Sequence, residues 1–310
     1  MPGSSRPLRV SLSEICCGAA GIVVLSPHFD DAALAVGGLI AEGIRAGIPV
    51  EVVTVFTDGA PISVEGKRRR AFTDYGVRRA EDDRALAVWG IAGRRLGFRE
   101  RLFREPLPSG PLPLFRSPRR LADLSYVAEI EAVIIELLTR PDIVVFAPLG
   151  IGNHIDHVTV AAAAMCAAAA STDGDERVVY YEDFNALSEC CRRRHPVART
   201  ARFGWRGAPG LARPGSGITL EAMSLLVRGP SADALVERSG RVGATRWSAV
   251  AVVLSKDVAD IKFDAVRQYR SQTAVLGGED AIVSMIRRSH ERRGGELIWR
   301  RYSTAGQRTP

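Results

Sequence analysis

Three of the chain's five histidines fall in two short stretches about 120 residues apart. The first reads Pro27-His28-Phe29-Asp30-Asp31 and the second His154-Ile155-Asp156-His157. Each sets imidazole beside carboxylate. A hydrolytic zinc site needs three protein ligands, an open position for water and a nearby base, and the two stretches together hold that inventory. His28 and Asp31 stand three apart where a strand should turn into a helix, so both can point at one locus while Asp30 projects elsewhere in the same pocket. His154 and His157 repeat the i, i+3 relation at the start of a second helix and so share a face. Either stretch alone would pass for an accidental surface pair. Both together, at equivalent strand ends, would not.

The elements that must position these residues follow from the hydrophobic pattern. Residues 22–25, Ile-Val-Val-Leu between Gly21 and Pro27, form a short β-branched run suited to a buried strand. Helix formers fill 31–46 and Gly47 ends them; 50–56 reads as the next strand. Strand, helix, strand is a βαβ unit, which implies a parallel sheet with a right-handed crossover. A dinucleotide fingerprint is excluded, because His-Phe-Asp-Asp occupies the turn where G-x-G-x-x-G would be needed. Further along, the pattern predicts helices over about 77–89, 121–138 and 154–170, and strands near 96–98, 143–147 and 178–181. The polar loop 57–75 carries a basic run at 67–70, and 106–118 is a proline-rich loop. Both His/Asp stretches then follow a strand, on the rim where doubly wound sheets bind ligands.

From 185 to 246 the composition shifts to Arg, Gly and Pro, with one apolar patch at 220–227. This reads as an insertion, a cap or substrate loop. A strand at 248–254, a helix through Tyr269, a helix over 279–288 and a terminal strand at 297–302 complete the chain. The expected fold class is therefore α/β: a Rossmann-like, mostly parallel sheet flanked by helices. Residues 1–184 form its catalytic core, 185–246 the insertion, and 247–310 a C-terminal part of the same domain.

The segment Val24-Leu25-Ser26-Pro27-His28-Phe29-Asp30-Asp31 resembles the Pro-His-Pro-Asp-Asp motif of the LmbE-like (PIG-L) zinc N-deacetylases. The segment Ala147-Pro148-Leu149-Gly150-Ile151-Gly152-Asn153-His154-Ile155-Asp156-His157 is similar to their His-x-Asp-His motif, and Tyr269-Arg270-Ser271-Gln272 matches a C-terminal signature. The likeness runs over about 20–183 and returns at 262–272. It implies removal of N-acetyl groups from glucosamine conjugates or antibiotic intermediates, with Zn²⁺, or Fe²⁺ in its place. Carried over by position, it implies His28, Asp31 and His157 as metal ligands and Asp30 as the general base. His154 would stabilise the oxyanion as an imidazolium, and Asp156 would orient a histidine. Arg78 aligns with a substrate-contacting arginine and Glu100 with an aspartate that touches sugar hydroxyls. Phe29 departs from the usual proline and Ala32 from the usual acidic residue. A tyrosine that some relatives use near the carbonyl is missing from the loop before His154.

The bulk properties narrow the alternatives. Lys and Arg number 42 against 35 Asp and Glu, a net +7, but only Lys67, Lys256 and Lys262 are lysines. An arginine excess spread through an alanine-rich chain reads as coding bias, and no nucleic-acid-binding module accompanies it. The cysteines Cys16, Cys17, Cys166, Cys190 and Cys191 form no Cys-x-x-Cys pair and are odd in number, so neither a disulfide framework nor a structural zinc site is indicated. The alanine run at 161–170 is too short to span a membrane. Residues 15–25 are better explained as the approach to the first strand than as a signal peptide. The expected setting is cytoplasmic, the partner a small amino-sugar conjugate with neither nucleic acid nor membrane, and a homo-oligomer is compatible. His195 and His290, in arginine-rich surroundings, read as surface residues. Two other functions fit the same residues: an amidase for a larger acyl group, as in a mycothiol conjugate or acylated glycopeptide, and an inactive arginine-rich binder with a relict metal site.

Overall fold

The computed structural model describes residues 7–59, 74–110, 112–118, 120–200 and 245–303. The basic run at 67–70, the apolar patch at 220–227 and the larger part of the 185–246 segment lie outside the described residues.

Eight strands form one sheet: β1 (Leu8–Val10), β2 (Gly21–Ser26), β3 (Val50–Asp58), β4 (Gly93–Arg99), β5 (Ile143–Pro148), β6 (Val178–Tyr181), β7 (Thr245–Val252) and β8 (Glu296–Ser303). Their order is β1-β7-β8-β6-β5-β2-β3-β4. Every pairing is parallel except those of β8, which runs antiparallel between β6 and β7. The helices are α1 (Leu12–Ile15), α2 (Asp31–Arg45), α3 (Tyr75–Trp89), α4 (Val127–Thr139), α5 (Ile155–Ala170), α6 (Gly174–Arg177), α7 (Glu189–Arg194), α8 (Lys256–Val266), α9 (Arg270–Val275) and α10 (Glu279–Arg293). β2 and β5 are buried along their whole length, as expected of parallel strands covered on both faces. One apolar cluster packs α4 and α5 on one face, and a second packs α2, α8 and α10 on the other.

The chain winds from β2 outward through β3 and β4, and from β5 the other way through β6. The adjacent pair β2–β5 is thus the point where the winding reverses, and a crevice opens beyond the carboxyl ends of such a pair. His28 follows β2 and His154 follows β5.

The α/β expectation holds, with local differences. The helix predicted over 121–138 starts only at Val127, because Tyr126 adopts a left-handed φ of 68° after a short 3₁₀ turn. β1 and α1 were not anticipated; α1 is held by a capping box in which the Glu14 amide donates to Ser11 Oγ and the Ser11 amide to the Glu14 carboxylate. Residues 185–200 carry α7 and two 3₁₀ turns, and Arg192 within them is fully buried, its Nε donating to Glu182 at 3.0 Å. Ala161 to Ala164, Ala167 and Ala168 of α5 lie in the core, where small side chains let the helix sit close to the sheet and α4. Among the described residues no helix is long and apolar enough to cross a membrane.

Candidate metal centre

The turn after β2 is fixed from both ends. Ser26 Oγ donates to the His28 carbonyl at 2.5 Å and accepts from the Ala32 amide at 3.0 Å, while the His28 amide donates to Asp31 Oδ2 at 2.8 Å. These bonds draw the first turn of α2 back over the strand end. The loop after β5 turns on Gly150, Gly152 and Asn153, all at positive φ. A side chain at Gly150 would press on the Val158 backbone at 3.2 Å, so the close approach of loop to helix needs glycine there. His154 then caps α5, and His157 sits in its first turn.

The two stretches meet. Asp31 Oδ2 lies 3.1 Å from His28 Nδ1 and 3.2 Å from His157 Nε2. Ligands on a tetrahedral zinc with bonds of about 2.0–2.1 Å would stand about 3.3 Å apart, so the separations suit an ion held among these atoms. The remaining ring nitrogen of each histidine is engaged from behind. His28 Nε2 faces Asp156 Oδ2 at 3.2 Å and His157 Nδ1 faces Asp183 Oδ1 at 2.6 Å. Carboxylates so placed fix the ring orientation and leave the opposite nitrogen free to ligate. A second group close enough to hold an ion, His28 with His154 and Asp156, shares His28. It fits less well, because Asp156 already accepts from the Arg101 amide at 2.9 Å and from the Arg104 guanidinium.

The electrostatics call for positive charge at this locus. Asp30, Asp31, Asp156, Asp183 and Glu100 are all buried here, with Arg78 and Arg104 as the nearby guanidiniums. Burial opposes a charged His28, yet Glu100, Asp156 and Asp31 outweigh it and lift the ring to about 9. His157 is likewise raised well above the usual histidine range, burial being overcome by Asp31 and Asp183. Burial would raise Asp31 too, but His157 and His28 hold its carboxyl well below the usual range. A divalent cation ligated by neutral imidazoles would replace those two protons. The donor set, its spacing and its charge fit such an ion.

Asp30 differs from its neighbour. Its side chain makes no capping bond, and burial, reinforced by Asp31, raises it to about 6 against the pull of Arg78 and His28. His154 stands edge-on to His28, Phe115 and His157, with ring centroids 5.0–5.3 Å apart. Burial drives it down to about 3, with His28 and His157 adding to the effect. In this environment burial favours the neutral ring of His154 over an imidazolium. Glu100 accepts from Arg78 at 2.9 Å and from the Tyr75 hydroxyl, and its other oxygen is 4.0 Å from His28 Nε2. The Arg78 guanidinium lies over the rings of Phe29 and Tyr75 at 5.4 and 5.2 Å. Phe29, which stands where a proline was expected, thus forms the stacking surface for that arginine.

All eight residues singled out in the sequence gather at this rim. Two further residues belong with them. Asp183 stands two residues past the end of β6, as His28 stands two past the end of β2. Arg104, over Phe56 and Tyr126 at 5.4 Å each, clamps Asp156. The surface reading of two histidines is corrected as well. His195 is buried, its Nε2–H donating to the Leu149 carbonyl at 3.0 Å and its Nδ1 accepting from the Val197 and Ala198 amides. His290 is half-buried, with Nε2 3.5 Å from Lys262 Nζ.

The fold is thus a mostly parallel α/β sheet with a carboxylate-backed pair of histidines and an aspartate at its winding reversal. Residues 23–168 match the family described as PIG-L: GlcNAc-PI de-N-acetylase. No curated protein sequence matches significantly. Among solved structures, a deacetylase of the teicoplanin biosynthesis pathway aligns at 23% identity and TM-score 0.59, over 92% of this chain and 99% of that one. The A40926 pseudoaglycone deacetylase Dbv21 aligns at 22% and 0.58, over 93% and 99%. The N,N'-diacetylchitobiose deacetylase from Pyrococcus horikoshii aligns at 16% and 0.50, over 95% and 88%. These likenesses establish a shared fold.

Proposed function

We propose that this chain is a divalent-metal-dependent N-deacetylase that hydrolyses the acetamide of an N-acetylglucosamine-type amino-sugar conjugate. The carrying observation is the convergence of His28, Asp31 and His157 on one locus, with Asp30 raised beside them and His154 kept neutral. In this reading those three residues hold the metal, with Zn²⁺ the first candidate and Fe²⁺ the second. When bound, such an ion polarises the scissile carbonyl and acidifies water.

The chain's own groups supply the rest. Asp30, with a carboxyl near 6, is basic enough to take the attacking water's proton and acidic enough to pass it to the departing amine. His154 offers an N–H to the carbonyl oxygen as charge develops on it. Its Nδ1 is buried without a hydrogen-bond partner among the described residues. Asp156, fixed by Arg104 and the Arg101 amide, keeps His28 in orientation. Arg78 and Glu100 form one wall of the crevice, and the Glu100 oxygen not engaged by Arg78 and Tyr75 is the acceptor for a sugar hydroxyl. The C–N bond breaks to give acetate and the free amino sugar.

The family description and the named substrates of the structural neighbours support an N-acetylated amino sugar carried on a larger scaffold. The test is acetate release from free N-acetylglucosamine, diacetylchitobiose and aglycone-linked N-acetylglucosaminides, with and without a chelator. Release that the chelator abolishes and added zinc restores is expected. No release from any of them, or release indifferent to the chelator, would contradict the assignment.

A further inference from the structure

The Asp183 carboxylate faces two ways. Oδ1 meets His157 Nδ1 at 2.6 Å, and Oδ2 accepts from the Ile151 amide at 2.9 Å. Ile151 sits at the centre of the loop Leu149-Gly150-Ile151-Gly152-Asn153 that delivers His154, and its side chain is fully buried. Among the described residues the loop's other anchors are the Leu149 amide, which donates to Tyr181 O at 3.0 Å, His195 Nε2–H, which donates to Leu149 O, and Ser117 Oγ, which donates to Asn153 O at 3.0 Å. Its backbone turns through left-handed conformations at Gly150, Gly152 and Asn153. Glycine adopts such conformations freely, so the loop depends on contacts from outside to fix it. Asp183 is buried two residues past β6, whose last residue Tyr181 is paired with Pro148 of β5, so it is a well-anchored reference for both partners.

We infer that Asp183 is a positioning residue that couples the metal-ligating ring of His157 to the loop carrying His154. One carboxylate oxygen holds the His157 proton on Nδ1, so that Nε2 presents its lone pair to the metal. The other holds Ile151, and through it the placement of His154 over the same locus. The inference rests on the metal-site reading above and gives it a second readout, because coupled sites must respond to each other reciprocally.

Asp183→Asn is nearly isosteric and removes one of the two acceptors. If the amide NH₂ turns to His157, the ring can satisfy it only by accepting at Nδ1, which moves the ring proton to Nε2 and blocks the ligand atom. Zinc affinity, measured by chelator competition, then falls about 10–100-fold, the scale known for such supporting residues. If the NH₂ turns instead to the Ile151 amide, two donors face each other. Zinc affinity is then nearly retained, kcat falls with little change in KM, and the Ile151 amide exchanges faster with solvent. Either pattern supports the coupling.

A variant whose zinc affinity, kcat and Ile151 exchange all match the wild type would overturn it. Hydrogen exchange in the wild-type chain needs no variant: protection of Ile151 is expected to rise when zinc is added, and unchanged protection would overturn the coupling. Zinc binding by the wild type is measured first. Its absence refutes the metal site itself, whereas its presence with an indifferent Asp183 refutes only this inference.

Discussion

The decisive contrast lies between two adjacent side chains. Asp30 and Asp31 are both buried, yet one is raised to about 6 and the other is held well below the carboxylate range, because only Asp31 stands between two histidines. Environments that push neighbouring groups apart assign base and ligand to different residues. Asp30→Asn is therefore expected to keep zinc affinity while turnover falls by about 10²–10⁴, the usual contribution of a general base. Turnover and zinc affinity measured on one preparation check this, and loss of zinc together with activity would make Asp30 a ligand instead. At this scale the gathering of these residues was legible in the sequence, because two His/Asp stretches each follow a strand, where one alone would have passed for a surface pair. Asp183 was not, because a single aspartate after a strand looks like any loop residue. Its one signal was its place two residues past a strand, like that of His28. Arg104 was hidden among many arginines. The charge of His154 could not be read either, since it depends on the burial that Phe115 and the other two imidazoles impose.

Helix α2 shows how an element can be broken and repaired. It departs from helical geometry at Val36, with φ −128° and ψ 24°. The backbone groups left over find a buried ion pair: Gly38 and Leu39 amides donate to Glu296 at 2.9 and 2.7 Å, and Lys262 Nζ donates to the Ala35 carbonyl at 3.1 Å and to Glu296 at 2.6 Å. A Cβ at Gly38 would lie only 3.0 Å from Glu296 Oε1, so glycine admits the carboxylate. The break lets the first turns of α2, which bear Asp30 and Asp31, be aimed separately from the rest. Lys262→Met leaves Glu296 buried without its cation, and urea unfolding should report a loss of about 3–5 kcal/mol. A loss below about 1 kcal/mol would show that the pair does not hold the break. The pattern of residues 31–46 revealed the helix but not this device, since the partners lie more than 200 residues away. The early start assigned to α4 failed for a local reason: the sequence around 121–126 is apolar enough for a helix, but Tyr126 turns left-handed and packs at a tilt against Phe98 and Phe56.

Across the whole molecule, the fold class was legible because alternating buried runs and helices allow few arrangements other than a parallel sheet. The antiparallel insertion of β8 between β6 and β7 was not, since nothing local in residues 296–303 specifies neighbours from two distant parts of the chain. His195 ties residues from the start of the Arg-rich segment to the loop after β5, and it does so as a neutral ring. Burial depresses it to about 4, below the value of about 6.5 expected when unfolded. The stability it contributes is therefore complete above pH 6.5 and drains away as pH falls from there through about 4. The stability difference between wild type and His195→Gln should shrink over that window by up to about 1.4 kcal/mol per pH unit. A difference independent of pH would mean the ring is not held neutral.

The central claim is that residues from the ends of β2 and β5 hold one divalent ion. X-ray absorption of the zinc-loaded chain tests it most directly. One zinc per chain is expected, with nitrogen and oxygen neighbours at about 2.0–2.2 Å and two imidazoles, one of which disappears in His157→Ala while both remain in His154→Ala. Sulfur neighbours at about 2.3 Å, no stoichiometric zinc, or loss of an imidazole in His154→Ala but not in His157→Ala would contradict it.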